Sequence, residues 1–305
     1  YIPGCVSSSQ CVFPNAIVPQ RAWAAPSKSL LPYIPTPNVG PDTFSTAAHN
    51  KIVRDDKGSY RTDFSSDRYG MISGYYFFDD YNLQNPYPTG QGGANVPGFG
   101  ALNLGRSQLL SLGHTKALNP FTVNEFRVSF MRTANNVGQP YEGVGPTLVS
   151  QGFAPGNQSG IVPLAPKIEG IMNVEFNAFH IGVPITNLTQ ANNTYNISDN
   201  LSRIWGTHTF KTGFQANFSQ VNVNPNPTAN GAFTFFGSET GSDFADFLIG
   251  VASNYNQAAS QSFYGRHKYA GAFAEDTWHV TSNLTLTAGV RYELMQYWSE
   301  KYNQI

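Results

Sequence analysis

Residues 269–292, YAGAFAEDTWHVTSNLTLTAGVRY, hold two runs of about twelve residues joined by the turn formers Thr281, Ser282 and Asn283. In the second run Leu284, Leu286, Ala288, Val290, Tyr292 and Leu294 alternate without a break with Thr285, Thr287, Gly289, Arg291 and Glu293. A helix would mix the two sets, whereas a strand of period two separates them onto opposite faces. Strands of soluble sheets usually run about five or six residues, so paired runs twice that long match a tilted membrane crossing of about nine to eleven residues. In the partner run Ala270, Ala272, Ala274, Trp278 and Val280 share one face, with Glu275, Thr277 and His279 on the other. Tyr269 and Phe273 break this parity by falling with the polar set.

Composition agrees with strands that meet lipid on one side and water on the other. Charged residues make up 12% of the 305 residues, against about 25% in an average soluble domain, yet no apolar run reaches the roughly twenty residues of a membrane helix. A net charge of -1 gives no basis for nucleic-acid binding. Trp278 near the turn and Tyr292 toward the far end of the next run fit the aromatic girdles of an outer-membrane barrel.

Three earlier hairpins repeat the pattern. Tyr60, Thr62 and Phe64 alternate with Arg61 and Asp63 in a first strand expected from Gly58, and a turn at Ser65, Ser66 and Asp67 leads to the return run 69–78. Residues 107–118 turn at Asn119 and Pro120 into 122–132, where Phe126, Val128 and Phe130 would face lipid and Glu125, Arg127 and Ser129 the lumen. A one-residue slip would put Glu125 and Arg127 on the lipid face, where a cation costs about 2–4 kcal/mol at the midplane. Residues 192–205 turn at Gly206 and Thr207 into 208–223, with Phe210, Phe214 and Phe218 on one face and Lys211, Gln215 and Asn217 on the other. Phenylalanine at every fourth position also fits a helical stripe; Gly213, the threonines and the tight turn favour the strand.

The remaining segments read as loops and short elements. Residues 1–56 are Pro- and Ser-rich with one helical turn near 24–31, and residues 81–100 are rich in Gly, Pro and Asn. Some fifty-five residues, 133–188, separate the second and third hairpins, a length that usually marks a functional loop; within them 169–184 form a small hairpin that extends the wall or folds over its mouth. A short strand at 232–236 and a helical turn at 243–250, capped by Ser242 and ended by Gly250, are expected before 251–263 rises again. That turn is placed at the short-turn end, giving about ten strands in all.

No catalytic arrangement emerges. The six histidines lack a helical zinc spacing, and His180 stands alone in its loop. Residues 90–100, GQGGANVPGFG, have neither the lysine nor the helix of a phosphate loop, and no nucleophile elbow occurs. Asp79, Asp80 and Asn82 end a strand and are either solvated acids or oxygen ligands for calcium. The expectation is a protein that is not an enzyme and carries no cofactor.

The 269–292 hairpin and the preceding ADFLIG stretch, 245–250, resemble the barrel of a TonB-dependent outer-membrane receptor of the large Oar-like branch. Residues 11–38, CVFPNAIVPQRAWAAPSKSLLPYIPTPN, resemble an external-loop segment of that branch, and 199–215, DNLSRIWGTHTFKTGFQ, one of its hairpins. The resemblance implies an all-β fold, a partial transmembrane antiparallel β-barrel in a Gram-negative outer membrane, with 1–56 as an external loop segment and 57–305 as barrel. It implies import of a large or scarce nutrient: external loops bind the ligand, and an energising TonB-type periplasmic partner remodels a plug that would lie outside this sequence. Lys211, Gln215, Arg291 and Glu293 become candidates for the lumen wall, either touching ligand or hydrating the lumen and holding the plug. Phe126, Val128, Phe130, Phe210, Phe214, Phe218, Leu284, Leu286 and Val290 become the lipid face, and Trp278 and Tyr292 its girdles. Export favours a disulfide between Cys5 and Cys11 over a metal site, because two thiols do not fill a tetrahedral shell. The competing reading is a secreted β-rich adhesin or carbohydrate-binding module, with Trp23, Tyr87 and Tyr141 stacking on sugars.

Overall fold

The computed structural model describes residues 13, 17–46, 50–88, 94–140, 145–153, 161–166, 169–182, 188–225 and 228–304. Eight long strands form one antiparallel sheet: β1 (Ile52–Ser66), β2 (Gly70–Asn85), β3 (Ala101–Asn119), β4 (Thr122–Pro140), β7 (Leu188–Trp205), β8 (His208–Asn224), β11 (Phe263–Thr281) and β12 (Leu284–Met295). They pair in chain order from β1 to β12, and the short β13 (Ser299–Glu300) adds to β11. Three of the four tight connections fall at the turns read from sequence; the first comes at 67–69, because Ser65 and Ser66 still belong to β1. Gly70 at φ 77° and Gly206 at φ 60° occupy left-handed backbone there, which a β-carbon would disfavour.

The strands overrun their expected bounds at the end away from these turns. β1 starts at Ile52 rather than Gly58, so the charged run Arg54, Asp55, Asp56 and Lys57 is strand, not loop. Asp79, Asp80 and Asn82 do not end β2, which continues to Asn85.

The register carries a regular stagger. Met71, one residue into β2, pairs with Thr115, which pairs with Glu125, three residues into β4. Thr122 at the second turn pairs with Arg203, two residues short of the third turn at Trp205. His208 after the third turn pairs with Trp278, and β11 runs on to Thr281 through a bulge. Each hairpin is thus displaced by two residues, or one per strand. With a rise of about 3.3 Å per residue and about 4.8 Å between strands, this corresponds to a tilt of roughly 35°, the inclination of strands in a barrel wall.

A second body gathers at the long-loop end. β9 (Ala232–Thr234) pairs with β10 (Asn254–Asn256) and, in parallel, with β5 (Asn173–Glu175), which pairs with β6 (His180–Ile181). Helix α1 (Ala25–Leu30) and helix α2 (Asp243–Ile249) pack with this four-stranded sheet. One apolar core joins Leu30, Val96, Phe99, Leu148, Ile171, Met172, Phe176, Phe235 and Phe247 from four separate chain segments. The stretches read as independent external loops therefore close on one another around a shared interior.

Three expectations change here. Among the described residues the wall has eight long strands rather than about ten, because β9 and β10 belong to the small sheet and 251–262 holds no wall strand. The helix at 243–250 lies at the long-loop end, not beside the short turns. A three-residue β9 cannot cross a hydrocarbon layer that takes about nine to eleven residues, so the chain stays on one side between β8 and β11.

Candidate functional site

The wall has two chemically distinct faces, because directly opposed residues on antiparallel strands point the same way. On one face the register aligns Thr62, Gly74, Leu112, Val128, Ile197, Ala216, Ala270 and Leu294 in a single row across all eight strands. Parity puts Phe126, Val128, Phe130, Phe210, Phe214, Phe218, Leu284, Leu286 and Val290 on this same apolar face, with Trp278 and Tyr292. Trp278 lies near the last turn opposite Leu286, and Tyr292 is opposite Ala272. Tyr292 is eight residues beyond Leu284, which at about 3.3 Å per residue and a tilt of roughly 35° is about 22 Å of height, close to the 25 Å of a barrel's apolar band.

Two polar pairs interrupt this face toward the short turns. His208 Nδ1 lies 2.6 Å from Asp276 Oδ2, its ring stacked 5.3 Å from Trp278 and 5.6 Å from Phe210. Asn124 Nδ2 donates to Asp199 Oδ1 at 2.7 Å. The first pair joins the two stretches 199–215 and 269–292 side by side. Sequence reading missed it, since the partners are 68 positions apart and nothing local marks them.

The opposite face carries most of the charged pairs, with Phe77, Leu109 and Met131 as an apolar row across β2, β3 and β4. Lys211 stands opposite Glu275 and Ser202, and Gln215 Nε2 donates to Asn196 Oδ1 at 3.4 Å. Arg291 Nε donates to Glu293 Oε1 at 2.5 Å, and Tyr269 closes a triangle by accepting from Arg291 and donating to Glu293, both at 2.8 Å. At the other edge Arg61 pairs with Asp63 at 2.9 Å, and Lys57 with Asp55 at 2.8 Å. Lys211, Gln215, Arg291 and Glu293 thus share a face; Gln215, Arg291 and Glu293 are engaged by neighbours on their own or an adjoining strand, and Lys211 stands in register with Glu275 and Ser202. Asp79 and Asp80 fall on opposite faces, Asp79 beside Lys57 and Asp80 on Arg106, so the two carboxylates do not converge on a calcium site.

The long-loop body is built around α2. Ser242 caps its start by accepting from the Ala245 N–H, and Gly250 at φ 75° ends it with bonds to the Asp246 and Phe247 carbonyls. The C-terminal carbonyls also meet the start of α1: the Ala24 N–H donates to Leu248 O at 2.8 Å, and Ser27 Oγ to Phe247 O. The buried Asp246 carboxylate accepts from the Glu239 and Thr240 N–H groups and the Thr240 hydroxyl. Phe247 meets Phe176 edge-on at 5.1 Å and Phe235 at 5.6 Å. Burial beside Phe233 and Gly231 pushes the Tyr255 phenol above its usual range. His180 pairs across β5–β6 with Glu175 at 3.9 Å. Trp23 donates to Val18 O and packs on the core, which makes it a packing residue rather than an open sugar platform. Cys5, Cys11 and Tyr141 lie outside the described residues.

A family model described as "Outer membrane beta barrel domain" matches residues 3–305. The chain belongs to that family. An outer membrane beta-barrel domain of this kind resides in the outer membrane, and that location implies lipid contact. Among solved structures, the outer membrane transporter YddB from Escherichia coli is similar at 13% identity, with a TM-score of 0.44. That match covers 81% of this chain but only 28% of the transporter's length. Comparison with curated proteins gives no match.

Proposed function

We propose that this outer membrane beta-barrel domain is part of a TonB-dependent receptor of the Oar-like kind that imports a large or scarce nutrient. The apolar face meets lipid, and the polar face lines the route. The body at the long-loop end faces outward and holds the ligand, and an energising periplasmic partner acts through a plug in the whole protein. The reading gives the chain no catalytic role.

The observation that carries it is the sorting of eight staggered strands into one apolar and one polar face, topped by a body with its own core. Transport of a bulky ligand needs such an ordered external platform, whereas a passive channel needs only a wall. The test has two arms, both on the full-length protein. Ala288→Arg, midway between Leu284 and Tyr292 on the apolar face, should lower folded stability in lipid by about 2–4 kcal/mol, while Thr287→Arg on the polar face should be tolerated. Equal tolerance of both would sink the assignment of faces. Import that persists after the inner-membrane proton gradient is collapsed would remove the energised-receptor reading and leave the barrel intact.

A further inference from the structure

Level with the upper margin of the apolar face runs a row of bases and amides. Arg132, Asn193, Gln220 and Arg266 are register partners on β4, β7, β8 and β11. Arg132 Nη1 donates to Asn193 Oδ1 at 2.9 Å, Asn193 Nδ2 to Gln220 Oε1 at 3.1 Å, and Arg266 Nη1 to Asn222 Oδ1 at 3.0 Å. Lys268, exposed, stands two residues below Arg266 on the same face of β11. Among the described residues none of Arg132, Arg266 and Lys268 is in an ion pair, unlike Arg54 with Asp56 and Arg106 with Asp80 farther along the sheet. Two arginines held by neutral amides and an exposed lysine beside them, with no carboxylate to neutralise them, form a site complementary to an anion.

Directly beneath lies an apolar groove of about 470 Å³, lined by Val128, Tyr195, Ile197, Ala216, Phe218 and Leu294, with Lys268 at its edge. The rings of Phe130, Tyr195 and Phe218 form its ridge, at centroid distances of 4.9 and 6.1 Å. Ala216 and Ala270, which are register partners, form its floor. After allowing for the stagger, Arg132 and Lys268 stand four and five residue steps above Val290. At about 2.7 Å of height per tilted residue that is roughly 11–14 Å, and since Tyr292 stands only two residues above Val290 it puts both cations just beyond the girdle at the upper edge of the apolar band.

We infer that this face binds one phosphate-bearing glycolipid of the outer leaflet. Its phosphate groups are held by Arg266 with Lys268 on one side and by Arg132, three strands away, on the other, and an acyl chain lies in the groove over Ala216 and Ala270. The inference rests on the apolar face meeting lipid. Charge complementarity and the position of the cations at the membrane margin, on the side of the long loops, select this occupant over a protein partner. The amides of Asn193 and Gln220 hold the row in place.

Native mass spectrometry of the full-length protein in mild detergent, with diphosphoryl lipid A as probe, tests it. The Arg132→Gln/Arg266→Gln/Lys268→Gln variant should retain the lipid about tenfold less than the unaltered protein, as expected for loss of charge-assisted hydrogen bonds. Equal retention overturns the site. On the unaltered protein, fully dephosphorylated lipid A should be retained about tenfold less than the diphosphoryl form. Indifference to the phosphates overturns the site even if the variant fails to fold. A nitroxide at Val290 in vesicles separates this outcome from failure of the underlying reading. Protection from a water-soluble relaxant with unchanged lipid retention sinks only the headgroup site, whereas full exposure to it sinks the lipid face as well.

Discussion

Phe273 and Tyr269 break the alternation of β11, and each lies against a glycine on the polar face. Phe273 is paired with Gly213, where a β-carbon would run into its ring, and a β-carbon on Gly271 would come within 2.7 Å of the Tyr269 hydroxyl. An aromatic ring over a bare glycine covers backbone that the missing side chain leaves open, so the parity break is a packing device. The sequence displayed the break, but its cause needed the opposing strand. Gly250 is a second position where one atom decides the outcome. Its φ is 75°, and an added β-carbon would sit 2.8 Å from Ala24 Cβ. Gly250→Ala should destabilise the long-loop body by more than about 1 kcal/mol, read as a lower protease threshold for 229–252 in the full-length protein. An unchanged cleavage pattern would mean that the α1–α2 contact is not rigid.

Among the elements, α2 was legible in kind and not in place. Ser242, the apolar pair Phe247 and Leu248, and Gly250 announce a short capped helix in any context. Which end of the wall it occupies depends on whether the preceding segment crosses the membrane, and on sequence alone the short strand expected at 232–236 counts with the wall. Packing resolved this, since Phe247 is only 1% exposed within a core drawn from four segments. Phe247→Ala should cost that body about 3–5 kcal/mol while leaving the wall strands folded. Hydrogen exchange should therefore quicken in α1, α2 and β9 but not in β3 or β4. Uniform quickening through the wall would show that body and barrel fold as one cooperative unit. The strand ends were misjudged for a related reason: the charged residues of 54–57 look like loop until it is seen that strands outrun the lipid at the long-loop end.

The whole molecule is a wall segment with two edges, β1 and β12, which do not pair with each other among the described residues. In hydrocarbon each unsatisfied backbone group costs several kcal/mol, so an open sheet cannot remain in lipid with its edges bare. Residues 1–305 expressed alone should fail to insert into preformed vesicles and should associate through these edges, as judged by flotation and sedimentation. A heat-resistant monomer in vesicles would mean that the eight strands close without further partners. The stagger of one residue per strand belongs to this level too. It emerges only when all four turns are placed in one register, yet it sets the tilt and brings Arg132 and Lys268 to the same margin.

Alternation of period two, repeated in four hairpins, was enough by itself to determine that the chain makes long strands with one greasy and one wet face. Side-chain parity is a local property of extended backbone, and no distant contact alters it. Only the tertiary structure decided that the long connections share one interior, that α2 sits with them, and that His208 meets Asp276. Those outcomes depend on which segments exclude water together, and that is set by contacts between residues far apart in the chain.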